Sequence, residues 1–145
     1  MPLPVPHPGL VIGYRYLWYA EAQSGRVEGR KDRPCVVVLA VQEENGETVV
    51  TVAPVTHSPP RRPADAVEIP QRTKQRLGLD EEQSWIIVSE VNRFVWPGPD
   101  LRPVSQQQSD LFDYGVLPPR LFDEVRHRLL SLARARRAVA VKRTK

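Results

Sequence analysis

Two apolar runs flank an asparagine-glycine pair: PCVVVLAVQ at residues 34–42 and ETVVTVAPV at residues 47–55, with Asn45-Gly46 between them. β-Branched residues crowd both runs, and Asn and Gly both tolerate positive φ, so the stretch predicts a tight antiparallel hairpin. The first run is apolar almost without interruption, which predicts a strand covered on both faces. A hairpin of that length constrains the rest of the fold. Its open end must bring the residues before Pro34 beside those after Val55, however far apart they lie in sequence.

Prolines divide the rest of the chain; there are 15 among 145 residues. Pro2, Pro4, Pro6 and Pro8 predict an extended arm over residues 1–8 that cannot join a sheet interior. From Leu10 to Ala20 the sequence LVIGYRYLWYA predicts a long curved strand, with Leu10, Ile12, Tyr14, Tyr16 and Trp18 on one face and Gly13 at a bend. A polar loop, residues 21–32, separates it from the hairpin. Beyond the hairpin, Thr56 to Pro63 is a loop that Pro59, Pro60 and Pro63 stiffen. A short strand at residues 66–69 comes next, then a helical turn from Pro70 to Leu77 closed by Gly78. SWIIVSE at 84–90, RFVW at 93–96 and LRPV at 101–104 predict three further strands. Ser105 and Gln108 have capping-box spacing and predict a short helix to Tyr114. The last element starts at Pro119, where Leu121, Val125, Leu129 and Leu132 share one helical face down to about Arg136.

This order predicts a mainly β domain with a C-terminal helix: a small curled barrel partly covered by helices, α+β in composition. The expected organisation is a proline-rich arm (1–8), one barrel domain with its helix (9–136) and a basic tail (137–145). No apolar run approaches the roughly 18 residues of a membrane span, and MPLPVPHPG does not read as a secretory signal. Cytoplasmic residence away from membranes is therefore expected. The single cysteine, Cys35, lies inside the apolar run and is expected to be buried and inert.

The net charge of +4 is unevenly spread. Residues 120–145 hold nine Lys or Arg against Asp123 and Glu124, whereas residues 1–119 hold 12 basic against 15 acidic groups. A basic end of this kind either attracts phosphates without sequence choice or is the solvated face and frayed end of a helix. His7, His57 and His127 have no metal-ligand spacing, and no phosphate loop, nucleophile elbow or dinucleotide fingerprint is present. No metal and no cofactor is expected. Chemistry on this chain falls to arginine, hydroxyl and histidine.

Hairpin topology places candidates for all three together. Arg33 precedes the first strand and Thr56 follows the second, so both stand at the open end with His57. Arg30, Lys31, Arg61 and Arg62 surround them. In these segments the chain resembles the MazF/PemK family of bacterial toxins. The resemblance is carried by Glu28-Gly-Arg-Lys-Asp-Arg33-Pro34 before the strand CVVVL, and by Pro54-Val-Thr56-His57 at the end of its partner. It continues through Val67-Glu-Ile-Pro70, Leu77-Gly-Leu79, Ser84-Trp-Ile-Ile-Val88, Asn92-Arg93 and Leu101-Arg102 to the last helix, over roughly residues 9 to 135.

The resemblance implies an SH3-like small barrel of the CcdB/MazF type that pairs into a homodimer. It implies a toxin of a toxin–antitoxin system, an endoribonuclease (a hydrolase in class) that cuts single-stranded RNA without a metal and leaves a 2′,3′-cyclic phosphate and a 5′-hydroxyl. It also implies an antitoxin whose flexible acidic segment fills the RNA groove. By position Arg33 and Thr56 match the family's catalytic arginine and threonine. A planar guanidinium suits charge growing on a phosphate, while its pKa above about 12 makes it a poor base. The chain departs from the family where Arg30, Lys31 and Asp32 replace glycines and His57 replaces a serine. His57 is a candidate for the proton transfers that arginine performs badly. Glu28, Arg30, Lys31, Arg61 and Arg62 are the candidate RNA contacts, Glu28 by shaping the loop. Trp18, Trp85 and Trp96 offer faces for base stacking or for packing. Two other readings stay open: a non-catalytic relative that binds nucleic acid or protein on the same barrel, and a gyrase-type poison.

Overall fold

A computed structural model describes residues 3–143, so Pro2 of the expected arm and the last two residues of the expected tail lie outside the described residues. Strands β1 (Leu10–Tyr14), β2 (Arg33–Gln42), β3 (Thr48–Thr56), β4 (Ala66–Glu68), β5 (Trp85–Ile87), β6 (Glu90–Val95), β7 (Leu101–Arg102), β8 (Asp113–Val116) and β9 (Val139–Lys142) form one sheet. Helices α1 (Tyr19–Gln23), α2 (Gln71–Leu77) and α3 (Pro119–Arg134) complete the domain. The main path runs β4-β5-β3-β2-β1-β7, with β8 also on β1 and β6 joining β3 to β9. The protein is mainly β with a C-terminal helix, and the strongly bent sheet does not close into a full ring. All pairs are antiparallel except β6 with β9.

The β2–β3 hairpin is the spine, and its alternation builds two cores. Val36, Val38, Ala53 and Val55 face one way, onto Ile86, Val88, Leu77 and the apolar face of α3, where Val125 and Leu132 are buried. Cys35, Val37, Val50 and Val52 face the other way, onto Ile12, Tyr14, Tyr16 and Phe94. Tyr14 and Phe94 stack with ring centres 4.5 Å apart. Cys35 is fully buried, and burial pushes its thiol pKa far up. Arg128 fastens α3 to the sheet by donating to the carbonyls of Pro63 and Ala66. None of the helices among the described residues is long and apolar enough to cross a membrane.

Several local expectations are corrected. The hairpin turn is wider than two residues: Gly46 N–H donates to the Glu43 carbonyl, and Gly46 alone takes a positive φ, of 87°. That is a turn over Glu43–Gly46 ending in a left-handed residue, which glycine accommodates without a Cβ clash. β2 is covered on both faces only from Cys35 to Val38; Leu39 and Val41 are exposed. The first strand stops at Tyr14 rather than Ala20, and residues 19–23 turn helical. Tyr16 and Trp18 still pack in the second core, as their alternation predicts, but the backbone at Leu17 is claimed by a side chain. Asn92 accepts from Leu17 N–H and donates to the Leu17 carbonyl. The expected 105–114 helix is a run of turns ending in β8. Ser105 Oγ does accept from Gln108 N–H, at 3.2 Å, but SQQQSD offers no apolar face to bury.

The end of the chain differs most from expectation. Where the sequence left open a phosphate-attracting tail or a frayed helix end, Val139–Lys142 pairs in parallel with β6. Arg143 is buried behind it, donating to the Arg15 carbonyl, Asn92 Oδ1 and Asp100 Oδ2 at 3.0, 3.1 and 2.8 Å.

Candidate active site

The hairpin register pairs Cys35 with Pro54 and so sets Arg33 directly across from Thr56. Arg33 is the first residue of β2 and Thr56 the last of β3, which continues its pairing by setting Thr56 against Trp85 of β5. The two side chains, His57 and Lys31 line a cavity of about 170 Å³ with Asp32, Pro34, Val55, Lys74, Leu79, Asp80 and Ser84. A wider recess of about 340 Å³ opens beside it, walled by Trp18, Lys31, Arg33, Thr56, His57, Ser58, Pro59 and Ile87.

Arg33 is held but not neutralised. Nη1 donates to the Val55 carbonyl at 3.1 Å, and the guanidinium lies 5.0 Å above the Trp18 ring. Nε is enclosed and has no hydrogen-bond partner. Among the described residues no carboxylate lies within ion-pair distance of it: Asp32 is taken by Arg15 at 2.8 Å and Arg102 at 3.6 Å. Glu28 is exposed. Burial pulls the Arg33 guanidinium below the usual arginine range. A half-buried cation without a counter-ion is unfavourable in isolation. It is also the arrangement that most rewards an arriving phosphate.

Thr56 Oγ1 accepts from Ser58 N–H at 3.2 Å, which closes the start of the 57–63 loop. Its own O–H remains to donate. His57 is bound on one side: Nε2 lies 2.8 Å from Asp80 Oδ2 and 3.1 Å from Oδ1. Its Nδ1 stands 3.7 Å from Glu82 Oε2, beyond hydrogen-bond range.

The five expected RNA contacts separate. Lys31 lines both cavities around Arg33. Arg30 turns away to Glu21, at 3.2 Å. Glu28 is exposed beyond the cavity walls, and Arg61 and Arg62 stand exposed on the proline loop, likewise outside those linings. Of the tryptophans, Trp18 is at the site under Arg33; Trp96 packs in the second core and Trp85 sits half-buried on β5.

Three site residues were not singled out from sequence: Lys74, Asp80 and Ser84. Lys74 is 1% exposed, with Nζ 2.7 Å from Asp80 Oδ1, 2.7 Å from Ser84 Oγ and bonded to the Glu82 carbonyl. The available signal was a lysine three residues before Leu77, on the buried face of α2. Burial opposes ionisation of Asp80, but the Lys74 hydrogen bond and charge, His57 and the Glu82 N–H outweigh it and lower its pKa. His57, Asp80 and Glu82 bring one ligand atom each within 4.8 Å of one another, the nearest approach to a cation seat among the described residues. The Lys74 ammonium already holds one Asp80 oxygen there.

One family model matches the chain. The model of the PemK-like, MazF-like toxins of type II toxin–antitoxin systems matches residues 16–95. That span contains every residue named in the two cavities. No curated protein matches the chain.

Proposed function

Since the chain belongs to the PemK-like, MazF-like toxins of type II toxin–antitoxin systems, we propose that it is an endoribonuclease that cuts single-stranded RNA by transesterification. The observation that carries this reading is Arg33: a half-buried guanidinium, oriented by the Val55 carbonyl and Trp18, with no carboxylate among the described residues to neutralise it. The scissile phosphate would lie over Arg33, with Thr56 Oγ1 donating to a second phosphate oxygen. The ribose 2′-oxygen attacks phosphorus and the P–O5′ bond breaks, leaving a 2′,3′-cyclic phosphate and a 5′-hydroxyl. Arg33 stabilises the charge that grows on the phosphoryl oxygens, a role usually worth about 10²–10³ in rate per donor removed. His57 takes the 2′-hydroxyl proton, and Lys31 adds attraction for the backbone. No step in this scheme requires a metal ion.

An antitoxin partner comes with family membership. We extend the reading to a homodimer and to an antitoxin whose acidic segment competes for the Arg33 groove.

The test is cleavage of a long single-stranded RNA in EDTA, with end-group analysis, by the parent, Arg33→Ala and Thr56→Ala. Discrete fragments with cyclic-phosphate ends, lost in both variants, are expected. Intact RNA in the presence of folded parent would overturn the reading. Light scattering on the same sample reads the expected dimer mass.

A further inference from the structure

Behind His57 lies a chain of contacts that the cleavage scheme does not use. Lys74 rises from α2 with an almost completely buried ammonium, and its three N–H donors have three acceptors: Asp80 Oδ1, Ser84 Oγ and the Glu82 carbonyl. Asp80 Oδ1 also accepts from Glu82 N–H at 3.1 Å. Both donors fall on the same carboxylate oxygen, so the carboxylate has a fixed orientation. His57 Nε2 lies against both oxygens, 2.8 Å from Oδ2 and 3.1 Å from Oδ1.

We infer that Asp80, anchored by Lys74, is a positioning residue that sets the tautomer and orientation of the His57 imidazole for proton transfer. The inference rests on the endoribonuclease reading above. An ionised carboxylate only accepts hydrogen bonds, so Nε2 must carry a proton. In the neutral ring Nδ1 is then the basic nitrogen. It has no hydrogen bond, and the exposed Glu82 carboxylate, 3.7 Å away, is its charged neighbour. The other charged groups around it are Lys31, Asp32 and Arg33, which line the same cavity, and Lys74 behind Asp80. In the step this arrangement serves, Nδ1 takes the 2′-hydroxyl proton as the O2′–P bond forms. The P–O5′ bond breaks, the 5′-oxygen takes a proton from water, and the imidazolium returns its proton to solvent.

The network makes a specific substitution informative. In Asp80→Asn, the two donors at Oδ1 require the amide oxygen on that side. The new NH₂ then occupies the Oδ2 position and points its hydrogens at His57 Nε2. An Nε2–H would face those hydrogens at 2.8 Å, closer than the amide oxygen at 3.1 Å, so the proton is expected to shift to Nδ1 and the basic nitrogen to be lost, with the Lys74 anchor retained.

The experiment is ¹⁵N NMR of the imidazole in the parent and Asp80→Asn, beside cleavage kinetics in EDTA for both, His57→Ala and the double variant. Melting temperatures confirm that each is folded. Expected are an Nε2–H tautomer in the parent and Nδ1–H in Asp80→Asn. The kcat should fall roughly a hundredfold or more, with KM nearly unchanged and no further loss in the double variant. A cleaving parent with no preferred tautomer, Asp80→Asn cutting at the parental rate, or independent losses that multiply in the double variant would each overturn the inference. A folded parent that cuts no RNA overturns the endoribonuclease reading and this role with it, whatever the tautomer.

Discussion

Two arginines of this protein are withdrawn from water, and they are treated in opposite ways. Arg143, at the end of the chain, is buried and fully engaged: its fork reaches Asp100, Asn92 and the Arg15 carbonyl, and it lies 5.6 Å from the centre of the Tyr14 ring. Among the described residues Arg33, at the start of β2, has one carbonyl, one aromatic face, an enclosed Nε without a partner and no counter-ion. The same fold therefore shows that it can satisfy a buried guanidinium. Where it leaves one unsatisfied, the arrangement costs stability that a bound phosphate would return. Arg143 closes the structure; on the proposed reading, Arg33 is kept for a phosphate.

The contrast breaks if the two arginines respond alike to substitution. The largest expected effect is on Arg143→Met, which takes the 2.8 Å partner from the nearly buried Asp100 carboxylate, leaves it the more distant Arg102 at 3.9 Å, and loosens β9. A loss of about 3–5 kcal/mol is expected, or roughly 10 °C in melting temperature for a chain of this size. A smaller loss is expected for Asn92→Leu. It leaves Leu17 N–H and carbonyl without partners and removes one acceptor from Arg143, at about 1–3 kcal/mol for each buried group left unsatisfied. Chemical denaturation checks both. Trp18→Leu sharpens the other side: it removes the face beneath Arg33, worth about 0.5–2 kcal/mol, and should lower RNA cleavage severalfold through a less ordered guanidinium.

The smallest of these effects is confined to acid. The folded-state pKa of Asp80 lies below its ordinary 3.8, because Lys74 and its other partners outweigh burial. The unfolded chain therefore takes the proton first as pH falls. The stabilisation is complete above about pH 4 and is lost as pH drops through the folded-state value. Asp80→Asn lacks it, so melting curves of parent and variant from pH 6 to pH 3 should converge toward the acid end.

How far each feature was legible in the sequence depends on the range over which it is determined. The hairpin placed Arg33 against Thr56 by counting residues from the turn, even though the turn is wider than the Asn-Gly pair implied. One irregularity in the ladder, between Val37 and Leu39, brings the register level. The final helix was legible because Leu121, Val125, Leu129 and Leu132 repeat at helical spacing. The alternation from Leu10 to Trp18 reported the buried face correctly but not the strand's end. Leu17 finds its hydrogen-bond partners on Asn92, 75 residues away, and not on a neighbouring strand. β9 was illegible because VAVK is four residues after a basic turn, and only pairing with β6 makes it a strand. The Lys74–Asp80 pair was missed for the same reason. α2 and the 79–84 loop reach His57 only through the pairing of β5 with β3 and β4.

The most direct test of the contrast is the melting temperature of Arg33→Met, which keeps the aliphatic stem and removes the charge. It should equal or exceed that of the parent, in a protein that no longer cuts RNA. A fall of the size expected for Arg143→Met would show that Arg33 holds the fold together, and would contradict the assignment of its free charge to a phosphate.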